Sequence, residues 1–352
     1  MKKRSVGTMG FAAATSLTLG AFASPALADL TIASWGGSFQ DAQRLLYFTP
    51  FAEERGITIT EDDFVGGIGG LRAQVTGGRP NWNIVQVEAE ELTLGCEEGL
   101  FVPIDFSLMD YDADDFIEGA ATECGVGTIV WSKVLGYDAD RLEGEAPETW
   151  ADFWDLETWP GQRGLRRGAQ YNLEFALMAD GVPADEVYDV LGTSEGVDRA
   201  FAKLDEIRDQ VTWWEAGAQP LQMLASGEVS LTSVYNGRVT GSNNTEGTNF
   251  GMAWDGSIYA IDSWVILEGT PDIELAHAFI SYASHPERQA RMPEFIAYGA
   301  THVGADAFIA EELAADLPTT PANLDVSIEF DTEFWVENIE ALTERFDRWA
   351  AR

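Results

Sequence analysis

The stretch L-T-I-A-S-W-G-G-S-F-Q-D, residues 30 to 41, constrains the fold more than any other. A short apolar strand pattern, Leu30 to Ala33, stops at Ser34, and a bulky Trp35 and two glycines precede a helical pattern. A strand that hands over to a helix in this way belongs to an α/β layer. Such strand ends are where open α/β sheets hold their ligands. Trp35 is therefore read as the wall of a pocket, with Gly36 and Gly37 letting the backbone approach the ligand and start the next helix.

The same alternation continues along the chain. Strand patterns cover Leu30–Trp35, Ile57–Asp62, Asn83–Val87, Thr128–Tyr137, Val229–Tyr235 and Ser263–Leu267, with helical stretches between them. Val197, Ala200, Phe201, Leu204 and Ile207 recur at helix spacing, as do Trp335, Ile339, Leu342, Phe346 and Trp349. Both stripes read as core packing. The chain is longer than one core usually accommodates, which predicts two α/β domains. No low-complexity linker divides it, so the chain is expected to cross between domains near Tyr137, near Asp262 and after about Val303.

Lys2, Lys3 and Arg4, a small apolar stretch and Ala26-Leu27-Ala28 give residues 1–28 the form of a cleaved secretory signal peptide. The mature protein is then soluble and exported. The formal charge of −38 repels nucleic acid and anionic lipid and suits a salty medium, without identifying a ligand. Cys96 and Cys124 are the only cysteines. In an exported chain they are expected to form one disulfide, worth about 3 kcal/mol through loop closure.

Motifs for chemistry are thin. V-G-G-I-G-G-L from Val65 lacks the spacing of a dinucleotide or phosphate loop and reads as a release into a helix near Leu71. Asp110 to Asp115 fails the calcium-loop pattern at its glycine and its final acid. No zinc-protease motif or Cys–His pair is present. Nothing argues for an enzyme, a metal or a cofactor. What stands out are aromatics at strand ends beside carboxylates: Trp35, Trp214, Tyr235, Tyr259 and Asp262. Ring faces and a negative charge together attract an ammonium group.

The segments L-T-I-A-S-W-G-G-S-F-Q, W-W-E-A-G-A-Q-P, V-Y-N-G-R, I-D-S-W-V-I-L-E-G-T-P and A-Y-G-A-T together resemble the periplasmic substrate-binding proteins of ABC importers. Within them the spermidine/putrescine-binding branch is the nearest match. The resemblance spans the mature chain and implies a type II two-lobed α/β fold, each lobe a mixed sheet flanked by helices, with a hinge of crossing strands. It places residues 29–136 with 262–304 in one lobe and 137–261 with 305–352 in the other. By matching motif, Trp35 and Ser38 lie on the first strand–helix loop and Glu88 follows N-I-V-Q-V. Tyr235 replaces the Trp of W-N-G, Asp262 is the acid that clamps an amine, and Tyr298 is the late pocket tyrosine.

Two positions depart from that branch. Ala260 stands where the family has a stacking Trp, and Tyr171 falls where it has a second amine-holding Glu. Glu88 or Glu215 would have to supply the second charge for a diamine. No Tyr-Tyr pair is present, which argues against ferric iron. The expectation is a monomeric periplasmic binding protein that captures a polyamine or related small organic cation and delivers it to an inner-membrane permease. Asp262 would pair the nitrogen, with Trp35, Tyr235 and Tyr298 around its methylenes and Tyr171, Trp214 and Tyr259 as further candidates. The alternatives are a zwitterionic or singly cationic solute, whose carboxylate Arg238 would meet, and a periplasmic enzyme built on a binding-protein scaffold.

Overall fold

The computed structural model describes residue 1 and residues 30–351. Apart from Met1, the segment read as a signal peptide lies outside the described residues. The described strands are β1 (Leu30–Ser34), β2 (Ile59–Asp63), β3 (Ile84–Val87), β4 (Gly125–Asp138), β5 (Arg163–Arg166), β6 (Val211–Trp214), β7 (Leu231–Tyr235), β8 (Phe250–Ile266) and β9 (Ser327–Glu329). They join in the order β2-β1-β3-β8-β4-β7-β5-β6, with β9 also paired to β8. Pairs made by β1 and by β5 are parallel, whereas β3–β8, β4–β8 and β4–β7 are antiparallel.

Two strands are long enough to serve both halves of this sheet. The start of β4 pairs with the end of β8, which also carries β3. The end of β4 pairs with β7 and with the start of β8. Every residue of β3, and all but the last two of β4, are buried. Helices therefore cover both faces of the central strands, and these sequences read as apolar runs rather than alternations.

At the end of β1, Gly36 and Gly37 have φ of 61° and 60°, a conformation that favours glycine. A Cβ on Gly36 would press on the Asp63 carboxylate at 3.2 Å, and one on Gly37 would meet the Arg238 guanidinium at 2.9 Å. The pair turns the chain from β1 into the helix Gly37–Gln43 and brings a second segment close to its backbone.

β5, β6, β9 and the first half of β8 were not legible as strands. β5, Arg-Gly-Leu-Arg, has poor intrinsic strand character and extends because β6 and β7 flank it. In β8, Asp255-Gly256 reads as a turn, but Gly256 (φ 68°) lies in an irregularity where the ladder skips from Ile258 to Ala253. The helix expected near Leu71 starts earlier, at Ile68, inside V-G-G-I-G-G. The expected stripes bury Val197, Ala200, Phe201 and Leu204 in Ser194–Asp205, and Trp335, Leu342, Phe346 and Trp349 in Thr332–Ala350. Ile339 is only half-buried.

Cys96, in the helix Ala89–Glu97, is bonded to Cys124, just ahead of β4. The bridge ties the helix that follows β3 to the entrance of the long central strand. Replacing both cysteines with serine is expected to lower the unfolding free energy by about 3 kcal/mol. Urea denaturation of the double variant, against the oxidised protein, checks this.

Candidate ligand-binding site

Side chains alternate along a strand, so Ile129, Trp131 and Lys133 of β4 share one face. Across the ladder Ile129 faces Asp262, Trp131 faces Ala260, and Lys133 faces Tyr235 of β7. Ile129, Trp131, Tyr235 and Asp262 line one cavity at the middle of the sheet. Trp35, Phe39, Phe64, Val65, Glu88, Arg166, Glu215, Arg238 and Tyr298 complete its wall. The cavity measures about 60 Å³.

Asp262 is the hub of the cavity floor. Trp35 Nε1 and Gln86 Nε2 donate to its Oδ2 at 2.7 and 2.9 Å, and Trp131 Nε1 donates to Oδ1 at 2.5 Å. Burial, followed by the charge of Glu88, raises its pKa well above the usual carboxylate range, against the pull of these donors. Its first task is to hold two indole rings in place. The Trp absent at Ala260 is made good from the opposite strand, because Trp131 is the direct partner of Ala260.

Glu88 occupies the N-cap of the helix Ala89–Glu97. Arg166 Nη1, at the end of β5, approaches both its oxygens at 3.3 Å. Tyr235 and Tyr171 donate their hydroxyls to it at 3.1 and 3.4 Å. Burial favours the neutral acid, but Arg166, Lys133 and the Tyr235 hydroxyl outweigh it and hold the Glu88 pKa below its ordinary value. Arg238, in the helix after β7, donates to the carbonyls of Gly36 and Trp35, each at 3.2 Å. These contacts close the β5–β7 half onto the β1–β3 half around the cavity.

Among the expected site residues, the structure brings together Trp35, Glu88, Tyr235, Asp262 and Tyr298 on the cavity wall. Four others stand off it. Ser38 is exposed on the first turn after Gly37. Tyr171 is buried behind Glu88 with φ 69°, a left-handed conformation rarely kept by a bulky residue. Trp214 is buried edge-on to Tyr235, their ring centroids 6.1 Å apart. Tyr259 is half-buried and reaches Glu329 at 3.4 Å.

The lining residues missed from sequence are chiefly Trp131 and Arg166. Trp131 had a signal, a Trp two residues before a Lys in an apolar strand, whereas Arg166 closes β5, which was not legible as a strand. The V-G-G-I-G-G loop is held by the protein itself, since the Gly67 amide donates to Glu91.

The model of the bacterial extracellular solute-binding protein family matches residues 47–320, and the chain belongs to that family. A γ-aminobutyric acid-binding protein of Pseudomonas aeruginosa is 45% identical over 335 residues, covering 94% of each chain. Among solved structures, the PBP MotA from A. tumefaciens B6, in complex with glucopine, is 30% identical with a TM-score of 0.85. It aligns over 92% of this chain and 99% of its own. The Atu4243 GABA receptor is 32% identical with a TM-score of 0.79, over 92% and 98% of the two chains. The fold is thus the two-lobed one of periplasmic binding proteins, a mixed sheet flanked by helices. The protein is a substrate-binding protein and not an enzyme.

Beside the site, Glu90 is buried, and Gln170 of the other half donates to its Oε1 at 3.0 Å. Burial, then the charge of Glu88, pushes its pKa up to about 7. The folded protein therefore holds this proton more tightly than the unfolded chain, in which a Glu titrates at roughly 4.3. The group contributes stability below the unfolded value and loses it as pH rises toward 7. Glu90→Gln mimics the protonated acid, so its unfolding free energy should fall less than the wild type's between about pH 4.3 and pH 7. Urea titrations at a series of pH values check this.

Proposed function

We propose that the chain is the solute-capturing component of an ABC importer, that it works in the periplasm, and that its ligand is a short zwitterionic amino acid, γ-aminobutyrate foremost. The observation that carries this reading is the charge balance around Asp262, where Arg166 and Arg238 stand with Glu88 and Asp262, while the remaining acid on the wall, Glu215, is exposed to solvent. A diamine would add two cations to a site that already holds two guanidinium groups. It would also need a free acid at each end, and Glu88 is already ion-paired with Arg166. An unpaired buried charge costs several kcal/mol. The polyamine expectation therefore gives way to the zwitterion alternative.

Apart from the exposed Glu215, which follows β6, the charges are also divided by origin. Glu88 and Asp262 sit beside β3 and in the part of β8 next to it, whereas Arg166 and Arg238 come from β5 and the helix after β7. A ligand with one charge of each sign can bridge the halves, and its binding free energy then favours the closed form that a permease would recognise. Asp262 Oδ1 accepts from Trp131 alone and retains capacity for a ligand ammonium. The cavity is small, about 60 Å³, which suits a short amino acid better than a long polyamine. The two relatives described as γ-aminobutyrate binders support the same class of ligand.

Isothermal titration of the mature protein with γ-aminobutyrate, glycine betaine and putrescine tests this. Saturable binding of γ-aminobutyrate is expected, weakened about tenfold or more by Arg238→Met, the scale of one charge-assisted hydrogen bond. Putrescine binding without any response to γ-aminobutyrate would overturn the assignment.

A further inference from the structure

Behind the cavity wall lies a group that ligand capture, as described so far, does not use. Lys133 is fully buried, and its Nζ has no hydrogen-bond partner. It lies instead over ring faces, 3.9 Å from the centroid of Tyr171, 4.3 Å from Tyr235, 5.2 Å from Trp214 and 5.9 Å from Trp131. Four aromatic rings around an ammonium are the arrangement by which binding sites recognise cationic ligands. Here the chain supplies the cation itself. Tyr171 holds its unfavourable φ of 69° as part of this cage, and a backbone conformation of that kind persists only where the surroundings enforce it.

Tyr235 and Trp131 line the cavity and Lys133 does not, so these rings stand between the ammonium and the ligand. The charges that act on Lys133 are the cation Arg166 and the acids Glu88, Glu90 and Glu174. Burial, followed by Arg166, lowers the Lys133 pKa well below that of a free lysine, and the three carboxylates oppose this only in part; the four ring faces favour the charged amine.

We propose that Lys133 is a specificity-determining residue that acts through the wall: it occupies the aromatic cage from inside and makes the Tyr235 end of the cavity a place for a carboxylate. A ring that already faces one cation attracts a second one less, and the charge behind it repels that second cation directly. A ligand carboxylate meets the opposite field, reinforced by Arg166. The aromatic residues that suggest a polyamine site on sequence are thereby withdrawn from amine recognition. This inference rests on the zwitterion reading of the site and assigns the residue that enforces it.

The test compares γ-aminobutyrate with putrescine, which share a four-carbon chain and differ in one end group. Titrations of wild type and Lys133→Met give the ratio of the two dissociation constants. Loss of the buried charge is expected to weaken γ-aminobutyrate and to favour putrescine, moving the ratio by about tenfold or more, the scale of one charge at close range in an intermediate dielectric. A purely structural role would weaken both ligands by the same factor, and an unmoved ratio overturns the inference alone. Wild-type protein that binds neither probe overturns the zwitterion reading and this inference together. If Lys133→Met does not fold, Lys133→Gln, neutral but polar-tipped, is measured in its place against the same criterion.

Discussion

The antiparallel pairing of β4 with β8 is the constraint on which the rest of the molecule depends. Its register runs from Gly125 opposite Val265 to Asp138 opposite Phe250, so one ribbon belongs to both halves of the sheet. The irregularities after Gly127 and after Lys133 bracket the segment whose side chains face the cavity. Bulges bend a strand and re-aim its side chains, which lets the ribbon leave one sheet half and enter the other while keeping Ile129, Trp131 and Lys133 in a row. The same few residues thus act as hinge, floor and support for the cage.

Around that ribbon the site is organised by pairing charges before a ligand arrives. Glu88 has Arg166 and two tyrosine hydroxyls, Asp262 has two indoles and an amide, and Arg238 has two carbonyls. Burying a bare charge is costly, and each of these is solvated by fixed protein dipoles instead of water. A site prepared in this way discriminates by the sign and position of the ligand's charges, since any misplaced charge must displace a partner already in place.

Much of the fold was legible because its strands carry their own signals. β1, β3, β4 and β7 are apolar runs bounded by turn residues, and the two helical stripes bury most of the residues that their spacing selects. β5 and β6 were illegible because their extended form is imposed by neighbours distant in sequence. For the site, the strand-end reading found Trp35, Tyr235 and Asp262, and motif matching added Glu88 and Tyr298. What neither could supply was pairing. That Trp131 lies opposite Ala260, that Tyr171 reaches Glu88 from behind, and that Lys133 fills the rings are facts of register and long-range contact. The proposed ligand class turns on Arg166, which pairs with a residue 78 positions away.

The bonds from Arg238 to the Trp35 and Gly36 carbonyls have an evolutionary consequence. Their acceptors are main-chain atoms, which every residue type possesses, so substitutions at Trp35 need not unfasten the two halves. Gly36 is held to glycine by its backbone angle and by Asp63, not by the bond it accepts. A clasp written into the backbone leaves the aromatic wall free to drift. One closing mechanism can then serve descendants with different diets.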